Sequence, residues 1–321
     1  MSIYRILSLD GGGIRGVLTA SLLERIEAEH PGFLAKIDLF AGTSTGGILA
    51  LGLASGMTPT QARELYENMG ANVFERSLWR EIRDLDKLIG PDYPNEPLKA
   101  DLTNHFGDMR LGDLPKKVLV SSFDLDNKSI DPAKPRSWKP KFFQNFPGSG
   151  SDVAEKVVDV ALRTSAAPTF FPIYQGFVDG GVVANNPSMC ALAQALNPAT
   201  GGQSLKDIRL LSVGTGNNPA FLDPSTDEWG LLQWAPHLIT LMLDGSGGLA
   251  DYQCAQVLGS HYFRLNSLLP MEISLDRVDQ IPLMKQIVAQ QDLSAVFAWV
   301  NSNFTEIASR PRVSRRKTKI N

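Results

Sequence analysis

Gly42-Thr-Ser-Thr-Gly46 is a G-x-S-x-G pentapeptide. A serine at that spacing can act as an acyl-transfer nucleophile if its hydroxyl tops a sharp strand-to-helix turn. Glycines two residues to either side let strand and helix approach with no Cβ between them. The amino end of the following helix would add partial positive charge beside Ser44. The alternative is a small-residue turn in which Ser44 only caps the helix.

Asp10-Gly-Gly-Gly-Ile-Arg-Gly16 allows two chemistries. As G-x-G-x-x-G after a strand it has the form of a dinucleotide loop, which wants an acid about 20 residues on, at the end of the next strand. Asp38 has the distance but opens its strand, so this reading is weak. As an oxyanion hole, Gly11, Gly12 and Gly13 would turn backbone N–H groups toward one point. Asp10 then pins the loop, and Arg15 pins it too or neutralises an acidic head group. Gly16 closes the motif.

Phe177-Val-Asp-Gly-Gly-Val-Val-Ala-Asn-Asn-Pro187 ends a short strand on Asp179. An Asp-Gly-Gly turn alone is commonplace. Parallel strands, however, bring their carboxyl ends to one edge of a sheet, where α/β sites form. Ser44, the glycine loop and Asp179 can therefore converge.

These groups need strands to carry them. Tyr4–Asp10, Ile37–Ala41, Lys117–Phe123, Gly176–Asp179, Ile208–Val213 and Ser260–Leu265 read as strands. Val17–Glu29 and Gly47–Ala54 read as helices, and Thr58 with Pro59 starts another as N-cap and N1. Strands alternating with helices predict an α/β layered fold with a largely parallel sheet. Three segments look like inserts over it. Phe74–Phe106 carries an apolar stripe (Leu78, Trp79, Ile82, Leu85, Leu88, Ile89), Asp124–Asp152 holds four prolines, and Trp229–Asp244 is strongly apolar.

In this order, D-G-G-G-I-R-G, G-T-S-T-G-G and D-G-G-V-V-A-N-N-P resemble the patatin-like phospholipase family. Thr164-Ser-Ala-Ala-Pro-Thr-Phe-Phe-Pro172 and Leu211-Ser-Val-Gly-Thr-Gly216 are also similar to it, and the likeness spans about residues 3–265. The resemblance implies a three-layer α/β/α fold and a serine hydrolase of the phospholipase A or lysophospholipase type. Its substrate would be a phospholipid or other acyl lipid. Ser44 would be the nucleophile and Asp179 the base of a dyad, with Gly11, Gly12 and Gly13 as oxyanion donors. Gly42 and Gly46 would frame the nucleophile elbow. The resemblance implies no cofactor and no calcium. Some bacterial members are effectors switched on by a small signal molecule, and no motif here identifies such a ligand.

An ordinary Asp, with a pKa of about 3.9, is a poor base for a serine proton at neutral pH. Burial beside Ser44 would raise it. His237 or His261 could complete a triad in the order Ser…Asp…His, but the resembled family uses no catalytic histidine. A non-lipid esterase or thioesterase would share the same acyl chemistry.

The 321 residues are 43% apolar and 20% charged, which is globular composition. The net charge of −3 argues against a nucleic-acid partner. Six basic groups and no acid lie in residues 310–321. No linker divides the chain, so residues 1–309 read as one patatin-like domain and 310–321 as a basic, disordered tail. That tail could attract anionic lipid in a transient peripheral membrane contact, with Trp229 and Trp234 at the rim of a lipid channel. Two cysteines and four histidines show no metal spacing. No signal-peptide pattern or membrane span is evident, so a cytoplasmic location is expected.

Overall fold

A computed structural model describes residues 3–70, 73, 91–223 and 228–304. The stripe from Leu78 to Ile89 and the basic tail 310–321 lie outside the described residues. Among the described residues the sheet has seven strands: β1 (Tyr4–Leu9), β2 (Leu39–Thr43), β3 (Lys117–Asp124), β4 (Lys139–Gln144), β5 (Phe177–Asp179), β6 (Ile208–Val213) and β7 (Tyr262–Leu265). Their order is β4-β3-β2-β1-β6-β7, with β5 paired to β3. β1, β2, β3, β6 and β7 are mutually parallel. β4 and β5 each run antiparallel to β3.

Side chains alternate across a strand, so each central strand supplies two cores. Leu7, Phe40, Val120 and Leu211 face one layer, which holds α1 (Gly16–Glu29), α2 (Thr45–Ser55), α3 (Pro59–Met69), α4 (Asn95–Phe106) and α5 (Val157–Thr164). Ile6, Leu39, Leu119 and Leu210 face the other. The short α6 (Gly181–Ala184) leads into α7 (Ser188–Leu196), which covers that second face with α8 (Leu231–Leu258). Met284 of α9 (Ile281–Gln290) and Phe304 of α10 (Ser294–Phe304) return to the first core. The fold is a three-layer α/β/α sandwich around a mostly parallel sheet.

Local sequence signals account for several boundaries. Thr58 caps α3, with Pro59 at N1 and a reciprocal capping box to Gln61, a motif of about 1 kcal/mol. Two expectations change. Residues 139–144 of the proline-rich insert are the edge strand β4, where Pro140 is tolerated because one side of the strand needs no partner. The apolar segment 229–244 forms the first half of α8 and its approach.

Candidate active site

β1 pairs with β2 on one side and β6 on the other. The chain builds outward from β1 through β2 and β3, then restarts at β6 and β7 on the opposite side. That reversal opens a crevice past the carboxyl ends of β1 and β6, the usual place for an α/β site. The glycine loop after β1 and Gly214-Thr-Gly216 after β6 meet there: Thr215 Oγ1 donates to Gly11 O at 2.9 Å.

Ser44 follows β2 and caps α2 with φ 55° and ψ −125°, a backbone conformation that a non-glycine residue holds only under strain. The turn is as tight as its glycines suggest. A Cβ on Gly42 would meet the Gly46 carbonyl, and one on Gly46 would meet the carbonyl of Leu9. Thr164 holds the elbow from below. Its Oγ1 accepts the Ser44 N–H at 2.8 Å and donates to Ser121 O at 2.6 Å. Thr43 Oγ1 donates to Ala184 O at 2.6 Å, tying the end of β2 to α6.

Asp179 reaches Ser44 by a route different from the expected one. β5 is antiparallel to β3, so Asp179 is not brought in by a carboxyl edge shared with parallel strands. β2 stops where Thr43 faces Ser121, and β5 occupies the same side of β3 beyond it, with Asp179 facing Ser122. The two strands meet end to end. The Asp179 carboxylate is buried, takes the Gly181 N–H at 2.7 Å and lies against the Ser44 hydroxyl. Burial pushes its pKa up to about 6, although hydrogen bonds from Ser44 and Gly181 pull the other way.

The glycine loop is fixed on several sides. Gly11 donates its N–H to Asn185 O at 3.0 Å, and Ile14 N–H goes to Leu275 O at 2.7 Å. The expectation that all three glycines offer N–H groups therefore narrows, because the Gly11 donor is already engaged. Gly12 and Gly13 have no N–H partner among the described residues, and both line the cavity with Ser44 and Asp179. Asp10 is buried and paired with Arg264, whose two terminal nitrogens sit 2.9 and 2.5 Å from its two oxygens. Arg15 is buried behind the loop, with its guanidinium near the carbonyls of Gly12 and Gly216 at 3.5 and 3.3 Å. Gly16 lets α1 approach α2, since a Cβ there would meet Thr45.

The cavity above Ser44 is mainly apolar, with Ile48, Tyr66, Leu98, Phe171, Ile239 and Leu243 among its walls. Trp229 and Trp234 are not wall residues. They pack on each other with ring centroids 5.1 Å apart, and the wall is supplied further along α8. His237 lies beside Trp229, and neither it nor His261 lines the cavity. Thr164, Asn185 and Thr215 had a signal in the motif segments but no assigned role. Arg264 had only its oddity as a charge in an apolar strand. Among the described residues no helix is long and apolar enough to cross a membrane.

With this geometry in view, the comparisons agree with the motifs. The family model described as Patatin-like phospholipase matches residues 7–192. CotR of Bacillus subtilis, a sporulation protein named as a hydrolase, is 31% identical over 95% of this chain and 99% of its own length. A cGAMP-activated phospholipase of Pseudomonas aeruginosa is 32% identical over 85% of this chain and 81% of its own. Patatin-like protein 2 of Arabidopsis thaliana is 28% identical over 83% and 74%.

Proposed function

The chain belongs to the patatin-like phospholipase family, and from that premise we propose that it hydrolyses fatty-acyl esters of phospholipids or lysophospholipids through a Ser44–Asp179 dyad. One observation carries the proposal. The Ser44 hydroxyl lies against a buried Asp179 carboxylate in an apolar cavity whose lining includes Gly12 and Gly13, and their N–H groups have no partner among the described residues.

The chemistry follows from those positions. Ser44 Oγ attacks the ester carbonyl as Asp179 takes its proton, and the carbonyl oxygen becomes an oxyanion. The N–H groups of Gly12 and Gly13 stabilise it, each by roughly 2.7–4 kcal/mol if they act like other oxyanion-hole donors. Asp179 returns the proton to the departing alcohol oxygen, leaving acyl-Ser44. It then takes a proton from water, whose oxygen attacks the acyl carbon, and passes that proton to Ser44 Oγ as the acyl–Oγ bond breaks and the fatty acid leaves. A base needs a pKa near the working pH, and the burial that lifts Asp179 to about 6 supplies it. The cycle as written uses no metal, so chelation by EDTA should leave the rate unchanged.

The test is fatty acid released from mixed phospholipid vesicles, measured by mass spectrometry for wild type, Ser44→Ala and Asp179→Ala. Release by wild type alone is expected. Release by folded Ser44→Ala at the wild-type rate would end the proposal. The name of the Pseudomonas relative favours a second reading, activation by a cyclic dinucleotide. Fatty-acid release that appears only on adding cGAMP would establish it.

A further inference from the structure

The connection between β3 and β4, residues 125–138, is braced along its length. Asn127 N–H donates to Ser137 O at 3.0 Å, and Asn127 Nδ2 donates to Ser137 Oγ at 3.2 Å. Asp126 is ion-paired with Arg136. Asp126, Asn127 and Asp131 accept the backbone N–H groups of Lys128, Ser129 and Ala133. A segment tied in this way holds one shape, yet it presents Ile130 at 99% exposure and Trp138 at 72%.

The direction of β3 says where these side chains point the connection. β3 is parallel to β2, so it leaves the sheet at the same edge as Ser44. β6 and β7 end at that edge too, and the segments following them expose Phe221, Trp234, Leu268 and Met271. Exposed apolar side chains thus occur in each segment that leaves the sheet at this edge after β3, β6 and β7. Residues 125–141 also hold five basic groups against two acids in a chain of net charge −3. Lys128, Lys134 and Lys139 form none of the ion pairs found among the described residues.

We propose that the 125–139 connection seats this edge on an anionic phospholipid bilayer. Ile130 enters the acyl boundary, Trp138 lies at headgroup level and the three lysines meet lipid phosphates. Tryptophan suits a surface with one apolar and one wet side, and basic residues beside an apolar anchor favour anionic leaflets. The inference rests on the acyl-lipid reading of the site, because it delivers substrate from the bilayer to the cavity.

The experiment separates docking from catalysis. Co-sedimentation of Ser44→Ala with phosphatidylcholine vesicles, with and without phosphatidylglycerol, reads binding without turnover. Binding should be stronger to the anionic vesicles, and adding Ile130→Asp and Trp138→Ala should weaken it by about tenfold or more, as the loss of two apolar anchors requires. With Ser44 intact, that double variant should hydrolyse a water-soluble short-chain ester at the wild-type rate and lose hydrolysis of vesicles. Equal vesicle binding and hydrolysis by the double variant would overturn the proposal. So would a change of oligomeric state caused by the double substitution, seen by analytical ultracentrifugation with vesicle binding unaltered, because a second copy would then occupy the surface. If wild type cleaves neither ester nor vesicles while the double substitution still weakens vesicle binding, the docking surface stands and the hydrolase reading falls.

Discussion

Ser44 and Asp179 meet because the strands that carry them run head-on along one side of β3. Thr43, just before Ser44, faces Ser121, and Asp179 faces the next residue, Ser122. Their meeting is therefore set by sheet register, with a hydrogen bond on the backbone N–H of each residue. Ser44 N–H goes to Thr164, and Asp179 N–H goes to Ala166 O at 2.9 Å. Four consequences can be measured.

The rate should depend on the ionised form of Asp179. With its pKa at about 6, kcat/KM for a short-chain ester should rise with pH through that value and then level off. A profile already flat well below pH 6 would assign the base to another group.

The same burial costs stability. The pKa of Asp179 is 3.8 in the unfolded reference and about 6 in the fold, so between these values the folded state binds more protons. Stability then falls as pH rises from about 4 to 6 and stays low above. Asp179→Asn keeps an acceptor for Gly181 and removes the charge. It should unfold at higher denaturant than wild type at neutral pH, by about 3 kcal/mol, and lose the advantage in acid. Equal midpoints at both pH values would contradict the shift.

Thr164→Val removes the acceptor for the Ser44 N–H and the donor to Ser121 O. An unsatisfied buried donor costs about 1–3 kcal/mol. Activity should fall with stability, and Thr164→Ser should restore both. Chemical denaturation together with ester kinetics checks this, and a fully active Thr164→Val enzyme would refute the role.

Arg264→Met leaves Asp10 as a buried charge without its partner. Breaking such a pair costs about 3–5 kcal/mol, and the glycine loop begins at Asp10. Adding Asp10→Asn in the double variant should recover part of the stability. A double variant as unstable as the sum of its singles would show that the two side chains act independently.

The layered fold was legible because hydrophobic strands and helices alternate with clear punctuation. Ile208–Val213 appears at its expected bounds, and α3 starts at the expected cap. Ser44 and Asp179 could be singled out from glycine-flanked turns together with the family resemblance those turns support. What brings Asp179 to Ser44 could not, because a three-residue strand carries no sign of its direction, and antiparallel pairing with β3 is a long-range event. The engaged N–H of Gly11 was hidden for a similar reason, since its acceptor, Asn185 O, comes from the far half of the chain. β4 was masked by Pro132, Pro135 and Pro140, which suit an edge strand and its approach but look like a loop in isolation. Arg264 could not be matched to Asp10, 254 residues away.

Labelling with a fluorophosphonate, read by intact mass and peptide mapping, tests the central claim most directly. The account predicts one adduct, on Ser44, and labelling of folded Asp179→Asn slowed by about a hundredfold or more, the scale of general-base catalysis. An adduct on another residue, or Asp179→Asn labelled as fast as wild type, would contradict it.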